Sequence, residues 1–140
     1  MDYTPGVFKL NNFRYVTPGS NTIDKNAIIP STIAKELALY IVYYSPMQMA
    51  ADLPKHYQNH PDAFEFIKKV PVVWEKKKII NSKIGEYVTI VRKDLNSEDW
   101  YLGSITNENE RYFNISLDFL NENKNIYYIN LYLHWLHQNG

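Results

Sequence analysis

Residues 33–52, IAKELALYIVYYSPMQMAAD, decide the fold expected for this chain. Apolar side chains recur there at three- and four-residue spacings, and this period predicts an α-helix. No residue from 37 to 44 is charged, so the helix is apolar on nearly every side and must be buried on most of its surface. The rest of a 140-residue chain is too small to enclose such a helix well. We therefore expect this helix to come from the interior of a larger protein.

The neighbours of this helix indicate the end of an α/β barrel. Ser31 or Thr32 is placed to cap the first helical turn, and Pro46 ends the helix. The apolar run MQMAA, residues 47–51, predicts a buried strand, and residues 61–69 predict a further helix with Phe64 and Ile67 on one face. Residues 1–30 contain turn formers and predict an irregular loop. Loop, helix, strand and helix in this order are typical of the last βα units of a (β/α)8 barrel.

The second half of the chain changes to a period of two, which predicts antiparallel strands with one solvated face. The clearest strand, residues 112–118, places Phe113, Ile115 and Leu117 on one side. Other candidates cover residues 72–74, 87–92, 100–106 and 126–133, with hairpin loops at 94–99 and 107–110. The predicted fold class is α+β. It combines the last βα units of a barrel in residues 1–69 with an incomplete antiparallel β-sandwich in residues 70–140.

The charge balance argues against two classes of partner. The chain has 15 basic and 15 acidic residues and no long basic run, so it lacks the electrostatic footprint of proteins that bind nucleic acid or anionic membranes. The basic cluster at residues 76–78 predicts a solvated turn or an edge strand. No stretch is apolar enough to span a membrane, and the first residues lack a signal-peptide pattern, which leaves the localisation undetermined. The absence of cysteine removes disulfides and thiolate chemistry.

Twelve tyrosines and three tryptophans are more than a small core needs. Such side chains suit half-buried strand faces, subunit interfaces and platforms that stack on sugars. Packing between strands is the favoured interpretation. Trp100 and Tyr101, at the start of a predicted strand, are the best candidates for a sugar or subunit contact.

Five segments carry a family resemblance: DYTPG (residues 2–6), AKELALYIVYYSPMQMAADLP (34–54), IGEYV (84–88), DWYLGSIT (99–106) and LDFL (117–120). Together they resemble glycoside hydrolase family 97, bacterial α-glucosidases and α-galactosidases. The resemblance extends from residue 2 to about residue 120, and residues 121–140 form a divergent tail. It implies a C-terminal fragment made of the end of the catalytic barrel and a truncated C-terminal β-sandwich, a domain associated with oligomerisation.

The resemblance also implies what the fragment lacks. In the family the catalytic acid, the base or nucleophile and the calcium-binding glutamates lie upstream, so no catalytic or metal-binding residue is assigned here and we expect no activity from the chain alone. His56 and His60 lack the glutamate of a zinc-protease helix and are not assigned to a metal. The expected partners are the upstream barrel and N-terminal sandwich, an oligosaccharide in the intact enzyme and a second copy in a homo-oligomer. The intact enzyme, which uses calcium, is expected to be periplasmic or secreted. The alternative is a non-catalytic β-sandwich module for oligomerisation or weak carbohydrate binding.

Four residues are candidates for the rim of the sugar site in the intact enzyme. Asp2 and Asp52 are the acids near the expected carboxyl ends of barrel strands, where the chemistry of barrel enzymes takes place. Tyr3 and Gln48 lie close to them in the sequence. A loop cap for Asp2 and a helix cap for Asp52 are the favoured roles, and a place at the rim is the alternative.

Overall fold

The computed structural model describes residues 4–16, 19 and 23–120 of the chain. Its helices are α1 (Ile33–Val42), α2 (Pro54–Gln58) and α3 (Pro61–Lys69). A hairpin of β1 (Phe13–Val16) and β2 (Ile23–Ala27) precedes the helices. The strands β3 (Trp74–Lys83), β4 (Tyr87–Asp94) and β5 (Trp100–Thr106) follow them as an antiparallel sheet in the order β3–β4–β5. Within these described ranges no helix is long and apolar enough to cross a membrane.

Helix α1 is largely buried, as its sequence predicts, but the expectation that this chain is too small to enclose it is wrong, because α3, Phe8 and the sheet cover it. Thr32 is the N-cap, and its Oγ1 accepts a hydrogen bond from the backbone N–H of Lys35 at 3.1 Å. The helix ends at Val42, before the predicted stop at Pro46, because Tyr43 already has an extended backbone. The buried apolar side chains of the helix are Leu37, Leu39, Tyr40, Ile41 and Val42.

Two clusters of the core meet on α1. In the first cluster Leu37 lies with Phe8, Tyr57 and Ala63, and α3 packs against it. In the second cluster Tyr40 and Ile41 lie with Val70, and side chains of the sheet pack against it. Helix α1 therefore lies between α3 and the sheet, so that the predicted barrel end and the predicted sandwich share a core. The prediction of a helix at residues 61–69 with Phe64 and Ile67 turned to the core is confirmed.

The sheet is covered on both faces. Helix α1 packs on one face, against Gly103 and Tyr101 of β5. The opposite face carries Thr89 and Val91, which have no exposed surface. Residues 111–119 cross this opposite face. Their aromatic side chains stack on it, with ring centroids 4.8 Å apart for Phe113 and Tyr87 and 5.2 Å apart for Phe119 and Trp100.

The prediction of a strand at residues 112–118 is wrong. The segment lies across the face of the sheet and forms no ladder with any strand that the structure describes. The predicted alternation is still visible in the burial of the first side chains, because Phe113 and Ile115 are half-buried while Asn114 and Ser116 are exposed. Leu117, predicted to share the inner side, is 41% exposed. The strand predicted at 126–133 lies outside the described residues.

The basic cluster lies on an edge strand, one of the two predicted alternatives. Strand β3 starts at Trp74, two residues later than predicted, and continues through the cluster to Lys83. All three lysines of the cluster are exposed, and the register between β3 and β4 shifts at two places. Lysines and bulges both discourage the addition of another strand at an edge.

Two other local predictions are corrected, and one short helix was not predicted. Residues 47–51 do not form a buried strand: only Gln48 forms a bridge, and Met47 and Met49 are 59% and 43% exposed. A strand needs neighbours on which to extend its ladder, and beside this segment the described residues supply a hydrogen bond from the Ala51 N–H to the Pro5 carbonyl at 3.1 Å. Residues 1–30 are not all irregular, because they contain the β1–β2 hairpin. Helix α2, which has proline at its first position, was not predicted.

Candidate functional site

The carboxylate of Asp52 holds two segments of the chain together. Its Oδ2 accepts hydrogen bonds from the backbone N–H groups of Phe8 and Lys9, both at 2.8 Å. Its Oδ1 accepts from the N–H of Leu53 at 2.7 Å and contacts Nδ1 of His56. Burial raises the pKa of Asp52, but the bonds from His56 and the three backbone N–H groups outweigh burial and lower the pKa to about 2. Asp52 is therefore a fixed anion that anchors the N-terminal loop at residues 8 and 9.

Tyr57 on α2 also holds this N-terminal loop, through Gly6. Its hydroxyl accepts a hydrogen bond from the N–H of Asp52 at 2.8 Å and donates to the carbonyl of Gly6 at 2.9 Å. The ring is buried and meets the ring of Phe8 edge-on, with centroids 4.9 Å apart. Burial raises the pKa of the Tyr57 hydroxyl, so the hydroxyl keeps the proton that it donates.

Helix α1 holds the other end of the loop. The buried carboxylate of Glu36 accepts hydrogen bonds from the N–H groups of Gly6 at 3.0 Å and Val7 at 3.2 Å, and from the hydroxyl of Ser31 at 2.6 Å. The hydroxyl of Tyr40 lies 3.1 Å from the carbonyl oxygen of Pro5. Gly6 has φ of +92°, and a Cβ at this position would lie 2.6 Å from the Tyr40 hydroxyl. We call Glu36, Tyr40, Asp52 and Tyr57 the loop clamp, because all four hold residues 5–9.

A second feature, the helix–sheet joint, connects α1 to the sheet through Arg92 and Gly103. The buried guanidinium of Arg92 donates from Nε to the carbonyl of Ile41 at 2.6 Å and from Nη2 to the carbonyl of Val42 at 3.3 Å. A Cβ on Gly103 would lie 2.8 Å from Cβ of Ile41 and 3.0 Å from the carbonyl oxygen of Ala38. Glycine is therefore needed for the helix to approach β5 this closely.

The structure shows which contacts two of the four predicted rim residues make. Asp52 belongs to the loop clamp; the N-cap of α2 is Leu53, to whose N–H the Asp52 side chain bonds. Gln48 donates from Nε2 to the carbonyl of Tyr40 at 2.9 Å. Asp2 and Tyr3 lie outside the described residues. A place at the rim of the sugar site stays a prediction for all four residues.

Trp100 and Tyr101 point to opposite faces of the sheet, as neighbours in a strand do. Tyr101 packs with the core cluster, where its ring lies 5.5 Å from that of Trp74, and Trp100 packs against Phe119. The two residues therefore do not form one stacking platform. A sugar or subunit contact by either of them stays a prediction.

His56 and His60 take structural positions. His56 is bonded to Asp52, and the ring of His60 lies edge-on to Phe8 with centroids 5.8 Å apart. Across residues 4–16, 19 and 23–120, no group of three or more His, Cys, Asp or Glu side chains is arranged to hold a metal ion.

Sequence reasoning did not identify Arg92, Gly103, Tyr57 or the bonding of Glu36. For Gly103 a signal was present, because a glycine inside a predicted strand often marks the close approach of another backbone. Arg92 also lies within an otherwise apolar strand stretch, YVTIV followed by arginine. Neither signal identifies α1 as the partner, because α1 is far away in the sequence; Arg92 and Ile41, for example, are 51 positions apart.

Residues 73–133 match a protein family described as "Glycosyl-hydrolase 97 C-terminal, oligomerisation". Over 123 residues the chain is 31% identical to a retaining alpha-galactosidase of Bacteroides thetaiotaomicron, an alignment that covers 87% of this chain and 18% of that protein. A probable retaining alpha-galactosidase of Streptomyces bingchenggensis is 27% identical over 103 residues, which cover 74% of this chain and 14% of that protein.

Solved structures give a similar result. A glycoside hydrolase family 97 enzyme from a Pseudoalteromonas species, in complex with acarbose, is 42% identical and superposes with a TM-score of 0.73. The superposition covers 88% of this chain and 18% of that enzyme. A variant family 97 enzyme from the same source, in complex with panose, gives the same values. The chain thus spans less than a fifth of the length of the relatives that it matches.

Proposed function

We propose that this chain, whose residues 73–133 match the C-terminal domain of glycoside hydrolase family 97, acts as the C-terminal part of such an enzyme. In this proposal residues 1–69 complete a catalytic barrel and residues 70–140 belong to the C-terminal domain. The intact enzyme acts on α-galactosidic or α-glucosidic bonds, in keeping with the named activity of the relatives and the panose and acarbose held by the solved structures. It is exported from the cytoplasm.

The shared core on α1 carries the proposal. The helix packs against α3 and Phe8 on one side and against β5 on the other, so the two parts are built around a common element. The 42% identity and the superposition extend over 88% of the chain, on both sides of residue 70. A β-sandwich module that acted alone would not need a helix that buries apolar side chains against α3 and Phe8 as well as against its own sheet.

The geometry of residues 4–9 and 47–52 supports a place at the end of a barrel. The Ala51 N–H bonds to the Pro5 carbonyl, so these two segments are neighbours, as adjacent barrel strands are. Asp52, at the end of the second segment, accepts hydrogen bonds from the N–H groups of Phe8 and Lys9 at the end of the first. The exposed side chains of Met47 and Met49 would be covered by the preceding strands of the barrel.

The chain contributes structure rather than catalytic acids in this proposal. Both carboxylates near the loop, Glu36 and Asp52, are occupied by backbone N–H groups. A glycosidase needs a proton donor and a second carboxylate on either side of the glycosidic bond. Those groups, and calcium, would therefore come from the portion of the enzyme that precedes the matched region.

A chimeric enzyme tests the proposal. The matched C-terminal region of the Bacteroides alpha-galactosidase is replaced by residues 1–140, and hydrolysis of a nitrophenyl α-galactoside is compared with that of the parent and of the parent truncated before the region. We expect the chimera to be active and the truncated parent and the isolated 140-residue chain to be inactive. A chimera no more active than the truncated parent would contradict the proposal.

A second candidate function is assembly, which the description of the matched family favours. The exposed apolar side chains of Ile79 on β3 and Ile84 just after it form a surface on which a second copy of the chain could pack. Sedimentation equilibrium of the chain distinguishes the outcomes: a defined dimer supports assembly, and a monomer over the accessible concentration range opposes it.

Weak carbohydrate binding is tested separately by titrating panose into the chain and into its Trp100→Ala variant.

A further inference from the structure

The C-terminus of α1 is held from two directions. The last four carbonyls of a helix have no partner within the helix and need one elsewhere. Here the N–H of Tyr43 donates to the carbonyl of Leu39 at 3.0 Å, and the side-chain Nε2 of Gln48 donates to the backbone carbonyl of Tyr40 at 2.9 Å. The remaining two carbonyls, those of residues 41 and 42, receive the guanidinium of Arg92 from the sheet.

Arg92 is the charged member of this arrangement. The last turn of α1 contains no basic residue, so the guanidinium supplies the positive charge that stabilises the negative end of a helix dipole. Its side chain is 6% exposed and lies between two aromatic rings, 5.8 Å from the centroid of Tyr44 and 5.9 Å from that of Trp74. Two directional bonds and two ring contacts fix the end of the helix relative to the sheet.

The same helix end also fixes the segment that leads to the loop clamp. Gln48 bonds to the carbonyl of Tyr40, and the hydroxyl of Tyr40 lies 3.2 Å from the carbonyl oxygen of Met49. Asp52 follows three residues later and binds the N–H groups of Phe8 and Lys9. A shift of the helix end would therefore move residues 48–52 and, through Asp52, the loop at residues 5–9.

We propose that Arg92 is a positioning residue through which the β3–β4–β5 sheet sets the affinity of the barrel for its substrate. The inference rests on the proposed function, in which residues 48–52 and the clamped loop lie at the carboxyl ends of barrel strands. Arg92 touches no substrate. It acts by holding α1, and α1 in turn holds Gln48 and Asp52.

The test uses the chimeric alpha-galactosidase with Arg92→Lys and Arg92→Met. Lysine keeps the charge but loses the planar pair of donors, and methionine loses both. Arg111→Lys is the control, because Arg111 is also an arginine with little exposed surface but bonds to the side chain of Glu86 at 2.9 Å instead of the last carbonyls of α1. We expect Arg92→Met to raise KM about tenfold, with a smaller rise for Arg92→Lys, while kcat changes less than about twofold. The control should lower the melting temperature without changing KM.

Hydrogen exchange in the isolated 140-residue chain tests the coupling without catalysis. We expect the amides of residues 48–53 to exchange faster in Arg92→Lys than in the unsubstituted chain and in Arg111→Lys. Equal exchange, or an unchanged KM in a folded Arg92 variant, overturns the inference. An inactive chimera with Arg92 intact contradicts the proposed function instead, and the exchange measurement then still decides whether Arg92 controls residues 48–53.

Discussion

Replacing Gly103 with alanine tests whether the close packing of α1 on β5 holds the two halves of the chain together. The added Cβ would lie 2.8 Å from Cβ of Ile41 and 3.0 Å from the carbonyl oxygen of Ala38. Neither atom is the end of a flexible side chain, so the helix itself must move by several tenths of an ångström. That movement also draws the carbonyl of Ile41 away from Arg92, whose bond to it is 2.6 Å long.

The expected loss of stability follows from these two effects. Forcing one additional carbon into a packed core destabilises proteins by about 1–3 kcal/mol. Weakening a buried hydrogen bond to a charged group adds about 1 kcal/mol. We therefore expect Gly103→Ala to lower the free energy of unfolding by about 3 kcal/mol, and Gly103→Val by more. In a chain of this size the alanine substitution should lower the melting temperature by about 10 °C.

Urea unfolding of the 140-residue chain, followed by circular dichroism and by tryptophan fluorescence, measures this loss. Ser82→Ala is the control, because it removes one atom at an exposed position on β3 and should alter stability by less than about 0.5 kcal/mol. If Gly103→Ala were as stable as Ser82→Ala, the helix would not depend on this close approach and the account of the joint would be wrong.

Three further substitutions probe the loop clamp and α1. The folded pKa of Asp52, about 2, is below the ordinary value of 3.8 for an aspartate, so this carboxylate stabilises the fold above about pH 4 and the contribution is lost as the pH falls towards 2. Asp52→Asn should therefore cost about 2 kcal/mol at pH 7, and urea titrations at lower pH should show the difference from the unsubstituted chain shrinking. Tyr57→Phe removes the hydroxyl that bonds to the N–H of Asp52 and the carbonyl of Gly6, and should lower the unfolding free energy by about 2 kcal/mol; a loss below about 0.5 kcal/mol would mean that water replaces the hydroxyl. Thr32→Ala removes the N-cap of α1 and should cost about 1 kcal/mol in the same assay, whereas Thr32→Ser should retain most of the stability, and equal losses for the two would argue against the cap.

The local features of the fold could be predicted from the sequence because their causes are local. The period of residues 33–44 and the hydroxyls before it predict α1 and its cap, and α3 is predicted with its observed bounds. The strands at residues 87–92 and 100–106 are found within β4 and β5. Each of these elements contains enough apolar side chains at one period to identify both its type and its buried side.

The incorrect predictions concern elements whose structure depends on distant partners. Residues 47–51 and 112–118 have the composition of strands, but a strand forms only where a neighbouring backbone supplies the ladder. The first segment has the short N-terminal segment beside it, and the second crosses the face of the sheet. The hairpin of β1 and β2 was missed for the opposite reason, because turn residues dominate the composition of residues 1–30.

The candidate site was predictable only in part. Asp52 and Gln48 were singled out as candidates for the rim of a sugar site, and the structure shows them bonded to backbone groups of Phe8 and Tyr40. Arg92, Tyr57 and Glu36 make their important bonds to residues 29 to 51 positions away. A single sequence contains no signal for such pairs, and their roles become clear only when the segments are placed side by side.

The most direct test of the central claim supplies the chain as a separate polypeptide to the Bacteroides alpha-galactosidase truncated before its matched C-terminal region. The measurement is the initial rate of nitrophenyl α-galactoside hydrolysis at increasing concentrations of the 140-residue chain. The account predicts a rate that rises and saturates, because a barrel that lacks its end gains the buried helix α1 and the clamped loop. A rate that stays at the level of the truncated enzyme, with an equally inactive covalent chimera, would contradict the claim that this chain completes a family 97 enzyme.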